Sequence, residues 1–295
     1  MREGPPIIVV GVDGSAGSDA AKHWALTEAR LRQATLRLVA CFPPPVSEVV
    51  SPVGMPVAVV DTPTARKPYE ELLESSVQEL SAEAPEVTIE SVLAEGPTVD
   101  ELIGCSKGAD LLVVGRSGRN QAVAVLLGSV CRAVLHQAHV PVVVVPAAAH
   151  TGPIEQMVVG VDGSPASVAA LDWAMDEARR RDATLHVVHA WRYPYLGVRA
   201  GAAELVPLIH DDADHVLSEA VEHAKRGGTP VVGHLVEQVE SAGLLDIARE
   251  IGADLIVVGS RGRGGFSSLI LGSVSTVVAT HAPCAVAVIR PPARS

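Results

Sequence analysis

The sequence predicts an α/β protein built as two tandem doubly wound domains, each with a five-stranded parallel sheet flanked by helices. Three observations predict it. The chain has 295 residues, enough for about two domains at roughly 100–200 residues each. Its motifs occur twice, in the same order. Within each copy, short aliphatic runs alternate with helix-period stretches, as strands do when helical crossovers return them to a parallel sheet.

The repeat is explicit. Ile8-Val-Val-Gly-Val-Asp-Gly-Ser15 returns as Met157-Val-Val-Gly-Val-Asp-Gly-Ser164, so Asp13 matches Asp162 at an offset of 149. Trp24-Ala25 returns as Trp173-Ala174 and Ala34-Thr-Leu36 as Ala183-Thr-Leu185. Gly108-Ala-Asp-Leu-Leu-Val-Val-Gly115 returns as Gly252-Ala-Asp-Leu-Ile-Val-Val-Gly259, now at an offset of 144. Leu127-Gly-Ser-Val130 returns as Leu271-Gly-Ser-Val274. Units of this size are whole domains rather than solenoid repeats. The segment Pro146–Pro153, rich in Pro, Gly and small residues, reads as the connector. The expected domains are therefore residues 1–148 and 153–295.

In copy one, Ile7–Val12 reads as the first strand, Asp13-Gly14-Ser15 as a turn and Gly17–Arg32 as an amphipathic helix. Leu36–Cys41 is the second strand, and Pro43–Pro63, with six prolines, a long loop. Tyr69–Glu83 reads as a helix, Val87–Leu93 as a strand and Val99–Lys107 as a short helix. Leu111–Val114 is a fully buried strand, Ser129–Ala138 a helix and Val142–Val145 the last strand. Copy two repeats this order, with strands near Val158–Val161, Leu185–Ala190, Val231–Val236, Leu255–Val258 and Ala285–Ile289.

Composition narrows the function classes. Hydrophobic residues make up 48% and aromatics only 3%, so the cores are aliphatic, as suits strands covered on both faces. A net charge of −11 argues against general nucleic-acid binding, which needs a basic surface, but leaves room for a local phosphate site of backbone amides and a few Arg. Cys41, Cys105, Cys131 and Cys284 are dispersed and form no CxxC, which predicts buried reduced thiols rather than disulfides or zinc. Met1–Pro6 lacks the apolar core of a signal peptide, and no run of 18 apolar residues occurs, so a cytoplasmic protein without membrane spans is expected.

The strongest chemical signal follows the fourth strand. Copy one reads Gly115-Arg-Ser-Gly118, then nine residues, then Gly128-Ser129; copy two reads Gly259-Ser-Arg-Gly262, then nine residues, then Gly272-Ser273. Glycines let a backbone turn freely and let a phosphate approach closely. The Gly-Ser pair falls where a helix should begin, and free amides there attract anions. Arg116, Arg119, Arg261 and Arg263 add positive charge. In one copy, a Ser-capped glycine-rich connection would read the same; matched spacing in both copies favours an anion site. Asp13 and Asp162 end the first strands. Each can cap the following helix, accept hydrogen bonds from a ribose or an adenine amino group, or do both. In doubly wound sheets ligands bind beyond the carboxyl ends of strands, where strand order reverses, and both motifs fall there if the first and fourth strands are neighbours.

Together the V-G-V-D-G-S opening, the A-D-L-[LI]-V-V-G strand, G-x-x-G-x9-G-S and the closing Pro-Val or Pro-Cys strand resemble the universal stress protein family in its tandem form, over about residues 7–146 and 156–290. The resemblance implies strand order 3-2-1-4-5 in each domain, ATP or a related adenine nucleotide at the strand-end crevice, and dimerisation, often through the last strand. Carried over, Asp13 and Asp162 hold ribose or adenine, and Val12 with Cys41, and Val161 with Ala190, line the adenine pocket. Gly115, Gly118, Gly128 and Ser129, and Gly259, Arg261, Gly262, Gly272, Ser273, Val274 and Ser275, form the phosphate loops.

The copies are unequal. Copy two keeps Arg263-Gly264-Gly265 and Gly272-Ser-Val-Ser275, whereas copy one has Asn120-Gln121 for the two glycines, Cys131 for the second Ser, and Arg116-Ser117 in reversed order. The second site is therefore expected to bind more tightly. Other polar groups read as structural: His136 and His139 at a helix end, His186 and His189 on opposite faces of a strand, and Asp211, Asp212, Asp214 and His215 at a helix start. Trp24 and Trp173 read as core. The expected function is a cytoplasmic, homodimeric regulator that binds ATP, with or without Mg2+, and is read by another protein. A slow ATPase or phosphotransferase, or a scaffold with vestigial pockets, are the alternatives. Phosphoryl transfer needs a residue that orients the attacking group, and the sequence offers no base beside the glycine loop.

Overall fold

The computed structural model describes residues 4–42, 62–118, 126–150, 152–192, 202–263 and 271–291. Copy one runs β1 (Ile7–Gly11), α1 (Ala16–Arg32), β2 (Thr35–Phe42), α2 (Thr62–Glu83), β3 (Ile89–Glu95), α3 (Thr98–Ser106), β4 (Leu111–Gly115), α4 (Ser129–Gln137) and β5 (Val142–Val145). Copy two runs β6 (Gln156–Gly160), α5 (Pro165–Arg181), β7 (Thr184–Trp191), α6 (Ala202–Lys225), β8 (Val231–Glu237), α7 (Glu240–Glu250), β9 (Leu255–Gly259), α8 (Ser273–His281) and β10 (Ala285–Ile289).

The strands build two doubly wound sheets, each parallel and in order 3-2-1-4-5, the inner strands buried on both faces and the outer β3 and β8 only partly covered. Alternate residues of a strand face opposite layers. Ile8 and Val10 join Trp24, Leu26 and Leu80 of α1 and α2, while Val9 joins Leu102 and Leu135 of α3 and α4. The two sheets are not separate. β5 and β10 pair antiparallel, Val144 opposite Val286 and Val142 opposite Val288, which makes one ten-stranded sheet with β3 and β8 at its edges. The last-strand contact expected between chains is thus made within this one.

Helix ends follow from local chemistry. The Ser15 and Ser164 side chains accept the amides of Ser18 and Ser167, each at 3.2 Å, and so start α1 and α5. Gln33 and Asp182 stop those helices in the left-handed region, with φ of 52° and 56°.

Two expectations need correction. α2 starts at Thr62 rather than Tyr69 and runs through Pro68. The cluster Asp211–His215 lies well inside α6, which begins at Ala202, and not at its start; Asp211, Asp212 and Asp214 are nevertheless solvated. Residues 43–61 of the proline-rich loop lie outside the described residues.

A second contact between the copies is ionic. Glu28 and Arg32 of α1 meet their repeat-related partners Glu177 and Arg181 of α5. Arg32 bridges Glu28 and Glu177, the latter at 2.5 Å, and Arg181 bridges the same two carboxylates. Glu28 and Glu177 are 1% and 0% exposed. Arg32 also lies 5.7 Å from the ring centre of Trp173, so that tryptophan serves this junction as well as the core. Burial opposes ionisation of Glu28, but Arg181 and Arg32 outweigh it and hold its carboxyl below the usual range. Burial and the adjoining Glu28 push Glu177 up.

Candidate functional site

β1 and β4 are neighbours, Val10 against Val113, so the loops after them meet. After β1 the chain turns at Gly14, whose φ of 76° suits glycine. Asp13 Oδ1 accepts the Ser15 amide at 2.9 Å, and the Asp13 amide donates to Ser18 Oγ at 3.2 Å. Copy two repeats this: Asp162 Oδ1 accepts from Ser164 N at 3.0 Å, and Asp162 N donates to Ser167 Oγ at 3.3 Å. The spacing D-G-S-x-x-S in both copies marks Ser18 and Ser167, a signal that the motif reading passed over.

The glycines after β4 and β9 have distinct jobs. A Cβ on Gly115 would lie 2.5 Å from the Gly17 carbonyl carbon, and one on Gly259 2.7 Å from that of Ala166. Here glycine lets the first turn of α1 or α5 pack on the strand end. A Cβ on Gly118 would lie 2.8 Å from Asp13 Oδ2, so this stretch of loop passes directly over the carboxylate; Gly262 passes over Asp162 in the same way. The Gly128 amide donates to the Arg116 carbonyl at 2.8 Å and the Gly272 amide to the Ser260 carbonyl at 2.7 Å, which fixes where α4 and α8 begin.

In copy one these parts enclose a cavity of about 370 Å³, within the range of small-molecule pockets. Val12, Asp13, Cys41, Gly115, Gly118, Gly128 and Ser129 all line it, as do Ser15, Ser18, Tyr69, Thr98, Leu102, Arg116, Ser117 and Cys131. Tyr69 comes from α2, edge-on to Phe42 at 5.7 Å, and Thr98 and Leu102 come from α3. No motif marks these helices. The Cys41 thiol, pushed up to about 12 by burial, donates to the Thr98 carbonyl at 3.7 Å. Burial likewise pushes Cys131 up to about 12.

In copy two the Ser275 hydroxyl, at the Cys131 position, donates to the Gly259 carbonyl at 2.7 Å. Asp162 Oδ2 accepts the Arg263 amide at 2.8 Å. Burial alone would raise Asp162, but the bonds from Ser164, Arg263 and Ser167 outweigh it and hold its carboxyl below the usual range. The Arg263 guanidinium reaches Asp212 at 3.4 Å. Ser273 opens α8, Val274 packs on the core beneath it and Arg261 is exposed. Val161 and Ala190 are buried at the ends of β6 and β7, with Gly243 of α7 lying against Ala190.

Other polar groups are paired with one another or with the backbone. His186 bonds His234 at 2.9 Å and Gln156 at 2.8 Å, and His189 bonds the Val161 carbonyl at 2.7 Å. Among the described residues no group of three or more His, Cys, Asp or Glu is placed to hold a metal, and no helix is long and apolar enough to cross a membrane.

Tandem doubly wound domains with a glycine loop folded over a strand-end Asp define the class. The model of the universal stress protein family matches residues 6–146 and 153–290, and the chain belongs to that family. A universal stress protein of Mycolicibacterium smegmatis is 37% identical over 296 residues, covering 96% of this chain and 97% of that one. One of Mycobacterium tuberculosis is 34% identical over 289 residues, covering 96% of each. The crystal structure of a universal stress protein from Archaeoglobus fulgidus superposes with a TM-score of 0.71 at 21% identity, covering 97% of this chain and 98% of that one, a likeness of fold.

Proposed function

We propose that each copy binds an adenine nucleotide, ATP with Mg2+ carried on its phosphates, and that the chain is a cytoplasmic, nucleotide-dependent regulator of the stress response read by a protein partner. One observation carries the reading: Asp13, the Gly115–Gly118 loop and the start of α4 converge on one cavity of about 370 Å³. The donor set fits the nucleotide from end to end. Val12 and Cys41 offer an apolar wall for the base. Asp13 accepts hydrogen bonds from ribose hydroxyls or the adenine amino group. A phosphate beside Gly128 and Ser129 meets free helix amides, and at Gly118 a side chain would fill the space over Asp13. The nucleotide supplies its phosphate charge, and the protein orients it. Copy two is the tighter site, because Ser275 braces the Gly259 carbonyl where copy one has only the Cys131 thiol. Self-association of whole chains, as homodimers, must use a surface other than β5 and β10, which are spent on each other.

Calorimetric titration of the nucleotide-free protein with Mg-ATP tests this. The expected stoichiometry is near two per chain, with the stronger site abolished by Asp162→Ala and the weaker by Asp13→Ala. No binding heat in protein shown to retain no nucleotide overturns the reading.

A further inference from the structure

Each site is rooted beside an arginine whose side chain leaves for the other copy. The Arg116 carbonyl accepts the Gly128 amide at 2.8 Å, directly ahead of α4, while its Nη1 donates to the Ala282 carbonyl at 2.8 Å. Ala282 caps the carboxyl end of α8, the helix whose amino end opens site two. Arg290 makes the return contact. It follows Ile289, whose carbonyl accepts the Ser260 amide at 2.7 Å within the site-two loop. Its Nη2 donates to the Leu135 and His136 carbonyls, at 2.8 and 2.6 Å, in the last turn of α4. Cations suit those terminal carbonyls and the negative end of the helix dipole. Both guanidiniums are part-buried.

The two arginines are not copies of one residue. Arg116 corresponds to Ser260, and Arg290 corresponds to Pro146 at the offset of 144. The crossed arrangement therefore comes from two unrelated positions in the repeat. It also gives the reversed Arg116-Ser117 order a structural consequence.

We propose that Arg116 and Arg290 are positioning residues that couple the two nucleotide sites, so that filling one strengthens binding at the other. This rests on the nucleotide reading above. α4 and α8 have nine residues each, about 13 Å at 1.5 Å per residue, and such short helices move as units. A phosphate that seats the amino end of α4 also seats its carboxyl end against Arg290, and Arg290 grows from the backbone that holds the Ser260 loop. The second nucleotide then meets a Ser260 loop already fixed. Coupling of this kind is reciprocal, and a factor on the order of five is expected.

The test is a cycle on the full chain. Site-two affinity for Mg-ATP is measured with and without Asp13→Ala, in chains carrying Arg290 or Arg290→Met, with Arg290→Lys as the conservative variant. Disabling site one should weaken site two about fivefold when Arg290 is present, less than twofold when it is Met, and by an intermediate factor with Lys. A second readout needs no nucleotide. Arg290→Met should speed hydrogen exchange at the first bonded amide of α4, Arg132, which donates to Gly128, as well as in the last turn. Equal site-two affinities whether site one works or not, or faster exchange confined to the last turn, overturns the coupling. Absence of any binding heat would sink the nucleotide reading instead, and the exchange result would then decide the link alone.

Discussion

Arg181→Met tests the ionic junction between the copies. Arg181 is nearly buried, with its side chain 4% exposed, and it bridges Glu28 and Glu177. Methionine keeps most of the buried stem and removes the charge. Two buried carboxylates then face each other with Arg32 and the half-exposed Arg180 as their cations. Breaking a buried pair from one side costs about 3–5 kcal/mol, because the partner charge stays buried. At roughly 2.1 cal/mol/K per residue, 295 residues unfolding together give about 0.6 kcal/mol/K, so Tm should fall by about 5–8 °C at pH 7. The deficit has a pH sign. Glu28 is held low, mainly against burial by Arg181, so its contribution is present above its ordinary 4.5 and lost as pH falls. Glu177 is raised, so stability from its protonated form is full below 4.5 and lost as pH climbs through its raised value; removing Arg181 raises it further. Both effects make the deficit larger at pH 8 than at pH 5. Adding Glu28→Gln to Arg181→Met should recover part of the loss, since one unpaired carboxylate goes. Scanning calorimetry at the two pH values is the assay. A Tm change under about 2 °C, or a double variant as unstable as the sum of the singles, would refute the reasoning.

A Cβ on Gly17 would overlap the Ser117 carbonyl oxygen, whereas Ala166 fills the matching place in copy two; Gly17→Ala should therefore weaken nucleotide binding at site one about tenfold and leave site two within twofold, measured by calorimetry in chains with one working site. Cys131→Ser should install the bond that Ser275 makes to Gly259 and tighten site one by about fivefold, the equivalent of roughly 1 kcal/mol, read in an Asp162→Ala background. His186 and His234 are both held low by burial, and in His186 the second ring adds to it. Their contribution is thus present above 6.5 and lost as pH falls, so urea unfolding should show the native chain losing on the order of 1 kcal/mol more than a His186→Leu/His234→Leu variant between pH 7.5 and 5.5.

The alternation of aliphatic runs with helical stretches was enough to place the ten strands of the described residues, and the duplicated motifs aligned them; the eight inner strands, buried on both faces, leave the clearest hydrophobic signature, while the part-exposed β3 and β8 are placed by their position in the repeat. The starts of α2 and α6 were not legible. α2 continues through Pro68 and Pro207 lies within α6, so in neither case does a proline mark where the helix begins. In the copy-one crevice, the wall made by chain segments next to β1 and β4 was readable from spacing. Tyr69, Thr98 and Leu102 were not, since long-range packing of α2 and α3 brings them there and nothing local records it. The crossing arginines were hidden for the same reason: Arg116 reads as a cation of the loop, yet its guanidinium ends on a carbonyl 166 residues away.

The β5–β10 pairing has a consequence for how the two halves are free to change. In a pair of identical subunits every substitution appears twice, once on each side of the axis, and an alteration that spoils one pocket spoils both. Here the halves are tied by covalent linkage and by Val142–Val144 lying along Val286–Val288, so their association does not depend on dilution. A substitution can therefore enter one half while the other keeps the original chemistry. Cys131 opposite Ser275, Gly17 opposite Ala166 and Arg116 opposite Ser260 are differences of this sort, each possible only in a molecule that carries its own partner.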